Sequence, residues 1–132
     1  MRFSRAQGKP LIGPIFQGRS ILVVEDEALI ALDVAEEFEK RGARVKVANS
    51  QRQAVQLVEA DGLSAAILDH GLKDGDSLAL CKRLQERGIP FVIYSGYRDI
   101  DVESACLTAP FIEKPASMEV LVATVEALLK GR

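Results

Sequence analysis

No apolar run in this chain approaches the ~20 residues a helix needs to cross a bilayer, which excludes a spanning helix and predicts a cytoplasmic protein with no membrane partner. Cysteine is scarce: Cys81 and Cys106 each sit in a helix-like segment, with no second Cys or His at metal-ligand spacing. A thiolate metal site is therefore excluded, and buried free thiols in a reducing compartment are expected. Histidine occurs once, as His70. Proline and glycine stay near average, and with 48% apolar and 27% charged residues the chain reads as neither disordered nor fibrous. Acid is missing from the first nineteen residues, which carry Arg2, Arg5, Lys9 and Arg19. Since the net charge is -2, the remainder carries about -6, which argues against nucleic acid as a direct partner. The run from Leu11 to Phe16, broken by Gly13-Pro14, is too short for a secretion signal. Residues 1–19 are read as a flexible basic tail, disordered or loosely docked, and residues 20–132 as one domain, long enough to bury a core without staples.

What is present is alternation. From Ser20 onward, short β-branched runs alternate five times with helical stretches, the pattern of a parallel sheet covered on both faces. Strands are predicted over residues 20–25, 44–48, 65–69, 90–95 and 110–113, and helices over 27–41, 50–60, 76–87, 99–107 and 117–130. Gly42 and Gly88 stop the first and third helices, Asn49 or Ser50 caps the second, and Ser117 caps the last. In the last helix Glu119 and Glu126 fall nearly on one line, leaving an apolar arc, with Val122 and Leu129 in it, wider than sheet packing demands. That arc predicts a docking face. Right-handed crossovers leave few topologies, and the expected one is a flavodoxin-like, doubly wound (βα)5 sheet with strand order 2-1-3-4-5.

Polar residues close the apolar runs. Glu25-Asp26 follows Ile21 to Val24, Asp69 follows Ala65 to Leu68, Ser95 follows Phe91 to Tyr94, and Lys114 comes shortly after Phe111-Ile112. The carboxyl ends of parallel strands share one edge, so these groups converge. With the first and third strands adjacent, Glu25, Asp26 and Asp69 meet in one crevice and repel unless a cation joins them. An all-oxygen donor set favours Mg²⁺ or Mn²⁺. The Asp69 carboxylate is a competent nucleophile towards phosphorus, while the Ser95 hydroxyl and the Lys114 ammonium suit phosphoryl oxygens. One acid at one strand end is more often a turn or cap residue. The ordered combination is what points to phosphoryl transfer onto Asp69. His70 adjoins Asp69, but adjacent strand residues point to opposite sides, so it is read as a surface loop residue and not as a base.

The segments Ile21 to Glu27, Ala66 to Asp69, Val92 to Gly96 and Phe111 to Pro115 together resemble the receiver domain of two-component response regulators, from Ser20 to about Lys130. The resemblance implies that Asp69 is the phosphoacceptor and Asp26 a direct Mg²⁺ ligand. It implies that Glu25 acts through water and that the Gly71 backbone carbonyl completes the protein ligands. Ser95 and Lys114 would handle the phosphoryl group, Ser95 and Phe111 would form the switch, and the Lys114–Pro115 bond would be cis.

This chain departs from the family pattern at several positions. Glu25 stands for the commoner Asp, Lys73 and Ser77 for the Pro and Gly of the loop, and Phe111 for Tyr. Tyr97, two residues after Ser95, is expected to shield the acyl phosphate from water. The implied function is acceptance of a phosphoryl group from a histidine kinase or phosphotransfer protein. Readout would follow through a downstream protein or a second copy, on the face of the fourth helix, fifth strand and fifth helix. Because the chain ends at Arg132, directly after the last helix, a stand-alone receiver with no output enzyme is expected. One rival is a pseudo-receiver that only binds partners, although all the chemical residues are present. The other is a Mg²⁺-dependent phosphatase or nuclease, which wants an acid two residues after Asp69, where Gly71 stands.

Overall fold

The computed structural model describes residues 2–3, 10–11, 15–72, 75–96 and 109–131, with the side chains of 2–3, 10–11 and 75–76 left aside. Five strands, β1 (Ser20–Val24), β2 (Arg44–Ala48), β3 (Ala65–Leu68), β4 (Phe91–Ser95) and β5 (Phe111–Glu113), form one parallel sheet in the order β2-β1-β3-β4-β5. The expected 2-1-3-4-5 order is the observed one. Helices α1 (Ala28–Glu39), α2 (Gln51–Leu57), α3 (Leu78–Glu86) and a C-terminal helix (Met118–Lys130) cover it. The helix expected over residues 99–107 lies outside the described residues, as do Tyr97, Lys73 and Cys106.

Local chemistry sets the element ends. Gly42, at φ 101°, and Gly88, at φ 70°, adopt the left-handed backbone that turns the chain out of α1 and α3. The Ser50 hydroxyl accepts from Gln53 N–H at 3.1 Å, and Ser117 accepts from Val120 N–H at 3.3 Å. Each such cap is worth about 1 kcal/mol. Of the two candidates for the second helix, Ser50 is the cap.

Each face of the sheet has its own core. Leu22, Val24, Ala66, Leu68 and Ile93 pack with Ala54 of α2, Val58 just after it, and Leu80, Cys81 and Leu84 of α3. On the other face Ile21, Val23, Ala65, Ile67, Val92, Tyr94 and Ile112 pack with Val34 and Phe38 of α1 and Leu121, Val122 and Val125 of the C-terminal helix. Burial of each large apolar side chain contributes ~1.5–3 kcal/mol.

Three expectations change here. Val122 is buried and Leu129 half-buried, because the C-terminal helix packs against α1 as well as the sheet, so most of the apolar arc is used internally. Among the large apolar side chains of this helix only Val120 is exposed, at 49%. Cys81 is disulfide-bonded, not a free thiol. Its fully buried place in the α3 core is as expected. The docked chain begins before Ser20: Phe16 is fully buried, its ring centroid 5.0 Å from that of Phe38, and its N–H donates to the Arg41 carbonyl at 3.0 Å. An aromatic ring there closes the end of the α1 layer. Further upstream, Arg2–Phe3 pairs antiparallel with Pro10–Leu11. No helix among the described residues is long and apolar enough to cross a membrane.

Candidate functional site

Strand alternation decides what the carboxyl edge presents. On the α1 face, Ile21 and Val23 lead one step further to Glu25, Ala65 and Ile67 lead to Asp69, and Ile112 leads to Lys114. The ladder runs on through these positions. Glu25 N–H donates to the Ala48 carbonyl at 2.9 Å, Asp69 N–H to the Val24 carbonyl at 2.9 Å, and Lys114 N–H to the Ser95 carbonyl at 2.8 Å. Backbone hydrogen bonds thereby hold all three side chains at one end of one face.

There the Lys114 ammonium donates to Glu25 Oε1 and lies 3.5 Å from Asp69 Oδ2. Beneath it is the Tyr94 ring, whose centroid is 5.4 Å from Nζ. Asp26 completes the group: Glu25, Asp26 and Asp69 each offer a carboxylate oxygen, all within 4.8 Å of one another. Glu25 and Asp69 are buried and Asp26 is half-buried. The peptide bond between Lys114 and Pro115 is cis.

Burial pushes the Glu25 carboxyl up to about 7, against the lowering effect of its hydrogen bonds from Lys114 and from Glu27 N–H, and the charge of Asp69 adds to the rise. Burial likewise opposes the charge on Lys114. The hydrogen bond to Glu25 and the charges of Asp69 and Glu25 outweigh it and hold the ammonium above its ordinary value. Lys114 therefore stays protonated, and its ammonium sits in a cluster of acids in which Glu25 is only partly ionised near neutral pH. Hard oxygen donors this close together are of the kind that could hold a divalent cation.

The chain after Asp69 is braced. Gly71 N–H donates to Asp69 Oδ1 at 3.2 Å, and Gly71–Leu72 pairs antiparallel with Gly75–Asp76. His70 is buried and not at the surface, with Nδ1 2.9 Å from Ser77 Oγ at the N-terminus of α3. The contact with Ser77, seven residues on, is one that alternation along a strand does not reveal. Glu25, Asp26, Asp69 and Lys114 are thus brought together by the fold. Ser95, buried at the end of β4, joins them through its carbonyl, and Phe111 packs half-buried against the core of the α2–α3 face. Sequence reasoning missed Tyr94. The signal was available in the register, since Tyr94 pairs with Ile112 and Lys114 lies two residues further on the same face.

A doubly wound sheet with this order, carrying acids and a lysine at its carboxyl edge, defines an α/β domain of the receiver class. The family model of the response regulator receiver domain matches residues 21–126, and the chain belongs to that family, which serves two-component signalling. Among curated relatives, the response regulator MprA of Mycolicibacterium vanbaalenii is 28% identical over 115 residues, 83% of this chain and 50% of the relative. The protein of the same name in Mycobacterium leprae is 27% identical over the same shares. The chain thus spans half the length of these relatives.

Solved structures agree in fold. A CheY-like receiver domain protein from Methanospirillum hungatei superposes with a TM-score of 0.79 at 23% identity, covering 86% of this chain and 94% of the other. A response regulator from Burkholderia pseudomallei, solved with a phosphorylated aspartic acid, a calcium ion and citrate, gives a TM-score of 0.72 at 21% identity over 86% of this chain and 71% of the other.

Proposed function

We propose that this receiver takes a phosphoryl group onto Asp69 from a histidine kinase or phosphotransfer protein, in a reaction that needs Mg²⁺ or Mn²⁺. The observation that carries this reading is the convergence of Glu25, Asp26 and Asp69 within 4.8 Å beside the Lys114 ammonium. Asp26 and Asp69 would hold the metal directly, the Gly71 backbone carbonyl would add a third protein ligand, and Glu25 would act through water. When bound, the ion screens the negative charge that a phosphoryl group brings to three acids.

The chain's own groups do the rest. An Asp69 carboxylate oxygen forms a bond to phosphorus while the bond from phosphorus to the donor imidazole breaks and its electron pair returns to nitrogen. Lys114 pairs with one phosphoryl oxygen, and the Ser95 hydroxyl donates to another. Phosphorylation would add about two negative charges at the edge. Ser95, the last residue of β4, and Phe111, the first of β5, are the residues we read as the switch, with Tyr97 slowing hydrolysis of the acyl phosphate. The altered surface would be read by a downstream protein or by a second copy of the chain, through the fourth-helix, fifth-strand and fifth-helix face.

On this reading the chain is an acceptor that assists its own phosphorylation, not an enzyme acting on a released substrate, and it binds neither nucleic acid nor membrane directly. It works in the cytoplasm. Disulfides are unusual in a reducing compartment. A Cys81 thiol trapped by alkylation in freshly lysed cells would support that location, and an oxidised Cys81 would count against it.

Incubation with Mg²⁺ and acetyl phosphate, followed by intact mass measurement, tests the chemistry. The wild type should gain the mass of one phosphoryl group and Asp69→Asn should gain none. An unmodified wild type, or equal labelling of both, overturns the reading.

A further inference from the structure

We propose that Tyr94 is a positioning residue for Lys114: its ring holds the ammonium beside Asp69 when Glu25 is drawn towards a metal ion. This deepens the function proposed above and rests on it. Among the described residues, the Lys114 ammonium has three neighbours of this kind: Glu25 Oε1, Asp69 Oδ2 and the Tyr94 ring, 5.4 Å from Nζ. Both carboxylates belong to the group fitted for the cation. The ring is the one neighbour of the three that a cation does not claim.

Its placement is firm. Tyr94 is 5% exposed, lies in the core of the α1 face and pairs in register with Ile112, two residues before Lys114. A lysine stem has four rotatable carbons and a strongly hydrated head, so losing Glu25 would free it to swing towards solvent. An aromatic face within about 6 Å attracts a cation, most strongly where water is excluded, and the Lys114 side chain is only 10% exposed. An aliphatic residue in this place fills the same core but offers no such face.

The test compares Tyr94→Phe, which keeps the ring, with Tyr94→Leu, which keeps only the apolar bulk. The ring-current shift of the Lys114 ε-methylene protons is read first by NMR. It should be present in the wild type and in Tyr94→Phe, and absent from Tyr94→Leu. Its absence from the wild type overturns the proposal whether or not the leucine variant folds.

Labelling by acetyl phosphate at saturating Mg²⁺ follows. Tyr94→Leu should lose ~5-fold in the ratio of rate to half-saturating donor concentration, and Tyr94→Phe should stay near wild type. Calorimetry should give all three the same Mg²⁺ affinity, which a general distortion of the site would not. A leucine variant that labels like wild type, a phenylalanine variant that loses as much as leucine, or an equal fall in Mg²⁺ affinity each overturn the proposal. If the wild type itself takes no phosphoryl group, the proposed function falls, and the NMR shift alone decides whether Tyr94 holds the ammonium.

Discussion

On the face covered by α2 and α3, the strands contribute Leu22, Val24, Ala66, Leu68 and Ile93 to an apolar core. On the face covered by α1 and the C-terminal helix they contribute Ile21, Val23, Ala65, Ile67, Val92 and Tyr94, and the same alternation continues into Glu25, Asp69 and Lys114. The α1 face therefore runs on into two buried carboxylates and a lysine, whereas the α2–α3 face runs on into the half-buried Asp26 and the buried His70 and Ser95. Unpaired buried charge costs more than a buried leucine contributes. The second face tolerates its acids because the lysine sits among them, and no buried side-chain polar atom among the described residues lacks a partner. The first face should govern stability, and the end of the second should govern chemistry.

The largest effect expected is on the apolar face. Leu84→Ala empties a fully buried position and should cost ~2–5 kcal/mol in denaturant unfolding, while labelling per folded molecule stays unchanged. A labelling defect in the folded fraction would break the division between the faces. At the charged end, Lys114→Met should slow labelling by ~10²-fold, as loss of one charge-stabilising donor typically does. It should leave the fold intact by circular dichroism. Labelling at the wild-type rate would remove Lys114 from the chemistry.

The smallest effect is the pH response of the same edge. The folded protein binds the Glu25 proton more tightly than the unfolded chain, whose value is 4.5. The contribution of this group to stability is therefore full below that pH and is lost as pH rises through about 7. An ionised Glu25 is the form that accepts from a metal-bound water, so Mg²⁺ affinity should rise with pH between these limits, by at most about tenfold per pH unit, and level off above. Calorimetry across that range, with proton release measured in two buffers, would show it. An affinity flat with pH would mean that Glu25 is already ionised.

Much of this was legible in the chain. Runs such as Ile21 to Val24 are aliphatic, mostly β-branched, and buried on both faces, Gly42 and Gly88 take the left-handed turns expected of them, and Ser50 and Ser117 cap as their types suggest. These are local facts about a residue and its near neighbours. His70, Val122, Phe16 and Cys81 departed from expectation for one shared reason. Each was judged by its own segment, and each environment is made by another: Ser77 at the start of α3, α1 beside the C-terminal helix, Phe38, and a disulfide partner.

The sequence by itself determined the five strands and the identity of the acids and the lysine at their ends, and handed crossovers narrowed the strand order to a few, of which the observed one was expected. Periodicity and chain chirality act over short range, so one chain suffices to read them. Tertiary structure alone decided that Lys114 meets a carboxylate 89 positions away and another 45 away, that Tyr94 lies beneath the ammonium, and that burial lifts Glu25 to about 7. Those outcomes depend on parallel register and on the exclusion of water, and both exist only when the strands stand side by side.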